Sequence, residues 1–322
     1  MKKLLLILLS TILIFNGILG CENTPETISI YSPDGAPAIA LTPAMNKGFE
    51  KVKFNVVDGQ TIGSFVTGKE LKADICALPI NMASNLLGSG ENYKLLGTIT
   101  HGNFYLLSKK DITITTDNLQ DLIGLKIGVL QLKNIPGLTF KSVLLENKID
   151  YAEITSPDTA KNNQVNLIGI SGTEIGSDNY DAFLVPSPQA DLKAKALNLN
   201  FIGSLQELYG ENGFPQAVIA IKNSLIDNNA KFISEFKTSL LDSDNFISEG
   251  NIESICSLIL SSLQDGLTPT FTAKNLTYQM IVNSSIKFVE SKDCREEIIN
   301  FISRIQKVDG NAVKTFNDKF FL

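Results

Sequence analysis

Leu95-Leu96-Gly97-Thr98 runs into Phe104-Tyr105-Leu106-Leu107-Ser108-Lys109, and about a hundred residues later Phe201-Ile202-Gly203-Ser204 runs into Ala217-Val218-Ile219-Ala220-Ile221-Lys222. Each passage is an apolar β-type run closed by glycine and a hydroxyl, then a loop, then a second β-type run ending in lysine. A chain that leaves one lobe for another and later returns must cross twice, and these passages sit where the two crossings would fall. The reading is a two-lobed protein, with lobe 1 at 27–105 plus 220–322 and lobe 2 at 106–219. A coincidental similarity between two buried strands is the alternative.

Outward from these passages the chain alternates short β-type runs with helical ones, the pattern of an α/β protein with doubly wound, mainly parallel sheets. Strands are expected at Ile28–Tyr31, Phe54–Val57, Asp74–Leu78, Leu95–Thr98, Phe104–Ser108, Lys126–Leu130, Ala152–Thr155, Tyr180–Val185, Asn200–Ile202 and Ala217–Ile221. Helices are expected at Ala36–Met45, Ile62–Thr67, Met82–Leu87, Leu119–Ile123, Gly137–Glu146, Gln189–Ala196 and Leu205–Tyr209. From Asn228 onward apolar residues recur at three- and four-residue spacing through Lys231–Leu241, Ile252–Leu263, Ala273–Val289 and Arg295–Gln306, so the tail is expected to be all helix.

The N-terminus carries an export signal: Met1-Lys2-Lys3, an apolar run from Leu4 to Leu19, then Gly20-Cys21. Ile18-Leu19-Gly20-Cys21 resembles the lipobox of bacterial lipoproteins. That resemblance implies a signal peptide at 1–20, lipidation of Cys21, a polar tether at 21–26 and an extracytoplasmic protein held to the membrane by its lipid. An ordinary secretory signal with an incidental cysteine is the other reading.

About 300 residues remain after cleavage, enough for two lobes of ordinary domain size. Removing Lys2 and Lys3 takes the formal charge from −6 to −8, and no Lys/Arg cluster stands out. Such a chain is a poor partner for nucleic acid or for an anionic membrane surface. Cys76, Cys256 and Cys294 have no metal-like spacing and read as structural, with a Cys256–Cys294 disulfide left open. The single histidine, His101, rules out His-rich metal sites and leaves histidine catalysis one candidate.

In doubly wound sheets a ligand sits beyond the carboxyl ends of the strands, where loops lead into helix N-termini. The candidate binding residues therefore come from those loops: Asp34, Gly35, Ala36 and Pro37 after the first strand, Thr61 and Ser64 after the second, Pro79 and Asn81 after the third. The second half adds Gln131, Asn134 and Gly137, then Ser187. His101 and Asn103 lie in the first crossing and Phe214 in the second. Phe104, Tyr105, Tyr209 and Tyr278 are further candidates for ring stacking, and alternation along a strand lets at most one of Phe104 and Tyr105 face a cleft. Each such loop, taken alone, is more often mere capping chemistry.

Pro33-Asp34-Gly35-Ala36-Pro37-Ala38, Val57-Asp58-Gly59, Ala73-Asp74-Ile75 with Leu78-Pro79-Ile80-Asn81, Leu122-Ile123-Gly124-Leu125-Lys126-Ile127-Gly128-Val129 and Tyr180-Asp181-Ala182-Phe183 carry a wider resemblance. Together they look like the substrate-binding proteins of the nitrate/sulfonate/taurine and thiamine-precursor ABC importers. The resemblance implies a type II periplasmic-binding-protein fold, a small-molecule ligand between two lobes, a monomer, and an ABC permease and ATPase as partners. No GxxxxGK[ST] stretch occurs, consistent with a separate ATPase. No cofactor and no metal are expected. Chorismate dehydratase-like proteins and the pyrimidine synthase of thiamine biosynthesis use the same fold, so an enzyme is the alternative. An adhesion or scaffold lipoprotein is a third reading. The absence of arginine from the candidate loops speaks against a doubly charged anion, which bidentate arginine clamps normally hold.

Overall fold

The computed structural model describes residues 27–322; the leader, Cys21 and the tether lie outside them. Among the described residues the strands are β1 (Ile28–Pro33), β2 (Val52–Val57), β3 (Ile75–Pro79), β4 (Tyr93–Thr100), β5 (Phe104–Ser108), β6 (Lys126–Leu130), β7 (Tyr151–Glu153), β8 (Val165–Ile170), β9 (Ala182–Pro186), β10 (Asn200–Ser204), β11 (Ala217–Lys222) and β12 (Ile286–Glu290). The helices that matter below are α1 (Ala36–Lys47), α2 (Ile80–Leu87), α3 (Ile135–Glu146), α4 (Gln189–Leu197), α5 (Leu205–Tyr209), α6 (Asn223–Asn228), α7 (Ala230–Leu241), α8 (Ser243–Phe246), α9 (Ile252–Ser261), α10 (Tyr278–Val282) and α11 (Ser291–Val308).

The strands form two six-stranded sheets, β12-β4-β11-β3-β1-β2 and β10-β5-β9-β6-β8-β7. Ile75, Cys76, Ala77 and Leu78 of β3 are all buried, the continuous apolar run expected of a strand covered on both faces. In the first sheet β1 pairs in parallel with β2 and β3, while β11 runs antiparallel between β3 and β4. In the second, β6 pairs in parallel with β8 and β9, while β5 runs antiparallel between β9 and β10. At the edge of the first sheet β12 runs antiparallel to β4; within the sheet interiors the strands that reverse direction are β5 and β11, each of which has just arrived from the other sheet. These are the second halves of the two similar sequence passages. The result is two mixed α/β lobes of matching topology.

The tail departs from the all-helical expectation. Ala273–Val289 is not one helix: the backbone N–H and hydroxyl of Thr272 both bond Asn275 Oδ1, closing a turn, α10 spans five residues, and Ser285 adopts φ 47°. Ile286-Lys287-Phe288-Val289-Glu290 then forms β12, with Phe288 buried, and pairs antiparallel with β4, Val289 and Glu290 opposite Thr98 and Gly97. Gly97 is glycine for this reason: a Cβ there would lie 2.2 Å from the Val289 carbonyl oxygen. Strand β8 was also absent from the sequence reading, because Asn166 interrupts its apolar run. That amide is fully buried and satisfied by the Leu125, Lys161 and Gln164 carbonyls and the Lys161 N–H.

Helix α11 crosses from one lobe to the other. It packs on β4 and on α3, burying Cys294, Ile298, Phe301, Ile302 and Ile305. Arg304 caps the contact with an ion pair to Glu146 at the end of α3 and lies 3.7 Å over the Tyr209 ring. Cys76, Cys256 and Cys294 are free and buried, and Cys256 lies in a different apolar cluster from Cys294, so the disulfide left open does not form. Burial pushes the Cys294 thiol up to about 11, away from thiolate chemistry.

Asp181 ties the second sheet at the foot of β9. Its Oδ2 accepts the Lys126 N–H at 3.0 Å and its Oδ1 the Lys110 ammonium at 2.9 Å. Burial alone would raise this carboxyl, and the Lys126 N–H and the Lys110 ammonium more than reverse it, holding it below the ordinary 3.8. A depressed folded-state value means stability that is present above the ordinary value and lost as pH falls through the folded one. Asp181→Asn is expected to cost about 1–2 kcal/mol at neutral pH. In urea titrations from pH 7 to pH 2 the gap from the native protein should close below about pH 4, and a gap independent of pH would contradict the assignment.

Candidate functional site

The carboxyl ends of β2 and β3 in one lobe face the carboxyl end of β6 in the other across a cavity of about 660 Å3. Asp58, Gly59 and Gln60 contribute the loop after β2, Pro79, Asn81 and Met82 the start of α2, and Gln131, Asn134, Ile135 and Pro136 the loop into α3. Phe104 and Gln216, at the two crossings between lobes, complete the lining.

Each wall has a local cause. The Asp58 carboxylate accepts the Gln60 N–H at 2.7 Å and its carbonyl accepts the Thr61 N–H at 3.0 Å, which turns the chain sharply after β2. Pro79 ends β3 in extended geometry and leads into α2, whose first N–H, from Ile80, goes to the Gln216 carbonyl at 2.9 Å. In lobe 2, Gln131 takes φ 61° and its carbonyl accepts the Asn134 N–H at 2.9 Å, and Pro136 occupies the first turn of α3, where no N–H is needed. Neither α2 nor α3 has a side-chain cap on its first turn, so two helix N-termini from opposite lobes present open N–H groups.

Phe104 is the cavity end of an aromatic column. Its ring stacks on Phe214 at 6.1 Å and 6°, and Phe214 stacks on Phe301 of α11 at 5.7 Å and 8°, with Tyr209 alongside at 5.4 Å. Tyr105, on the opposite face of β5, donates its hydroxyl to the Asn283 carbonyl at 3.0 Å.

Of the residues chosen from the sequence, Pro79, Asn81, Gln131 and Asn134 line this cavity, as does Phe104 of the ring-stacking candidates. Gly137 lies just behind, where a Cβ would sit 2.0 Å from the Leu132 carbonyl oxygen; it lets the loop and the helix touch. Gly35, Ala36 and Pro37 open α1, and the Asp34 carboxylate takes the Gly35 N–H and the Thr270 N–H at 2.6 Å, tying the 266–271 loop down. Thr61 and Ser64 spend their hydroxyls on the carbonyls of Asp58 and Thr61. Asn103 and Ser187 bond each other's backbone across the crossing, at 2.7 and 2.6 Å. Phe214 is fully buried in the column. Tyr278 opens the short α10, and none of these lines the cavity.

His101 lines a separate cavity of about 520 Å3, with Glu207, Lys287 and Glu297 among its walls. Its Nε2 lies 3.1 Å from Thr98 Oγ1 and its Nδ1 3.8 Å from Glu297. The sequence reading missed Asp58, Gly59, Gln60, Met82, Ile135, Pro136 and Gln216 as wall residues. Gln216 left one signal, a lone amide directly after Pro215 at the mouth of a returning strand. Among the described residues no group of three or more His, Cys, Asp or Glu could hold a metal, and no helix is long and apolar enough to cross a membrane.

No family model and no curated protein matches the chain. Solved structures do. An ABC transporter protein from Parabacteroides distasonis superposes with a TM-score of 0.68 at 16% identity, over 92% of this chain and 98% of that one. The periplasmic aliphatic sulphonate binding protein of Escherichia coli gives 0.62 at 11% identity, over 93% and 92%. The ligand binding component of an ABC-type import system from Staphylococcus aureus, solved with zinc bound, gives 0.57 at 12%, over 92% and 96%. Likenesses of this breadth make the fold that of the type II periplasmic binding proteins.

Proposed function

We propose that this chain is an extracytoplasmic solute receptor that takes a small organic molecule into the interlobe cavity and delivers it to an ABC importer. The observation that carries the reading is the cavity itself, about 660 Å3 and built from loops of both lobes at the carboxyl ends of their parallel strands. The solved structures named above point the same way, since all three are described as ABC-transporter proteins, ligand-binding components or sulphonate-binding proteins. Lobe 1 comprises 27–105 and 220–322 and lobe 2 106–219, and they close about the 100–104 and 205–216 crossings once ligand bridges them. Cys21 carries the lipid that keeps a monomeric receptor near its permease and ATPase.

An enzyme on the same fold is the alternative. The cavity walls supply amides, one carboxylate and apolar groups, while His101, the candidate general base, opens onto a different cavity. A receptor gains stability from its solute by mass action, about 2.7 kcal/mol at a hundredfold excess over Kd. Thermal unfolding of residues 22–322 against a panel of sulfonates, amines, amides and aromatic heterocycles is expected to show one solute class raising Tm by roughly 5–10 °C. Turnover of a chorismate-type or pyridoxal-type compound, with no such shift, would replace the receptor by the enzyme.

A further inference from the structure

Charge in the cavity is one-sided. Among its described wall residues there is no lysine, arginine or histidine, whereas Asp58 brings a carboxylate and Gln60, Asn81, Gln131, Asn134 and Gln216 bring amides. Only one Asp58 oxygen, Oδ1, is engaged, by the Gln60 N–H; Oδ2 has no hydrogen bond or ion pair among the described residues. Gln216 is pinned through its backbone, its N–H to Thr100 and its carbonyl to Ile80, yet its Oε1 is buried with no partner. A buried acceptor without a donor costs about 1–3 kcal/mol. Phe104 supplies apolar surface to the same wall. The formal charge, −6 for the full chain and −8 without Lys2 and Lys3, draws cations toward the protein as a whole.

From these groups we infer that the solute carries a cationic nitrogen, an ammonium or amidinium whose N–H groups reach Asp58 Oδ2 and Gln216 Oε1, with an oxygen acceptor turned toward the open N-termini of α2 and α3. This rests on the receptor reading and narrows it. A solute whose only charge is a sulfonate has the two helix N-termini to meet it and a carboxylate opposing it, with no side-chain cation in the walls to offset that repulsion. A nitrogen cation gives the buried Gln216 Oε1 a donor and pairs with the exposed Asp58 Oδ2, and its carbonyl or carboxylate end finds the helix N–H groups.

Matched pairs test the inference: benzamidine against benzenesulfonate, β-alaninamide against propane-1-sulfonate, and 3-phenylpropylamine against 3-phenylpropane-1-sulfonate. Each is titrated calorimetrically into residues 22–322 at low salt. The nitrogen member of at least one pair is expected to bind while its sulfonate partner gives no heat. Asp58→Asn, at an exposed position, should weaken that binding about tenfold, and Gln216→Glu should strengthen it by a similar factor. Binding by a sulfonate, unaffected by Asp58→Asn, would overturn the inference and leave the receptor standing. Silence from every member of every pair, while another solute class raises Tm, would overturn the inference and leave the receptor standing; silence across the wider panel as well would remove both.

Discussion

Phe214→Ala is expected to lower the stability of the protein by about 3–5 kcal/mol, a fall in Tm of roughly 6–20 °C. Phe214 is fully buried and holds the middle of the column between Phe104 at the cavity and Phe301 on α11, so truncation removes two stacked neighbours and the Tyr209 contact together. Phe214→Leu, which keeps most of the volume, should recover more than half of the loss. Differential scanning calorimetry of the three proteins checks it. If Phe214 instead met solute directly, Tm without solute would be nearly unchanged and only affinity would fall. A shift below about 2 °C, with solute binding lost, would return Phe214 to the cavity wall.

The column also shows how the two crossings became legible in sequence. Apolar runs such as Leu95–Thr98 and Ala217–Lys222 announce buried strands wherever they occur. Their pairing with Gly97 and Gly203 announced more, because in each case glycine stands where another segment presses on the strand. A Cβ on Gly97 would meet the Val289 oxygen, and one on Gly203 would lie 3.1 Å from the Ile114 oxygen. The crossings themselves touch: a Cβ on Gly213, at φ 71°, would lie 2.1 Å from the His101 carbonyl oxygen. Strand β12 stayed hidden because Ile286, Phe288 and Val289 fit helical spacing as well as alternation, and only the turn closed by Thr272 and Asn275 and the reversal at Ser285 exclude the helix.

The candidate site was legible only by position. Loops after parallel strands were the right place to look, and Pro79, Asn81, Gln131 and Asn134 follow from that rule. Sequence could not tell which loop residues face the cavity and which spend their polar groups on the chain. Thr61, Ser64 and Asp34 carry the same chemistry as the wall residues and use it to close turns and anchor a neighbouring loop. The difference lies in the partner that the folded chain supplies: Thr61 and Ser64 bond carbonyls within their own turn, whereas Asp34 reaches Thr270 across the chain.

Gly137→Ala is expected to separate stability from binding more sharply than any substitution of a wall residue. Gly137 lies in the first turn of α3 with helical geometry, so alanine gains up to about 1 kcal/mol of helix propensity. Against this, the new Cβ would sit 2.0 Å from the Leu132 carbonyl oxygen, a backbone atom with no rotamer to yield. Either α3 or the 131–134 loop must move, at an overpacking cost of roughly 1–3 kcal/mol. Both carry walls of the cavity: Gln131 and Asn134 on the loop, Ile135 and Pro136 on the helix. A displacement of even a few tenths of an ångström misaligns them with Asn81 and Asp58 across the cleft. Net stability should therefore change by no more than about 2 kcal/mol, while affinity for the solute giving the largest Tm shift falls at least about tenfold. Gly250→Ala, where the added methyl meets open space, is the matched control. Wild-type affinity in Gly137→Ala would mean that the loop between β6 and α3 does not shape the solute site.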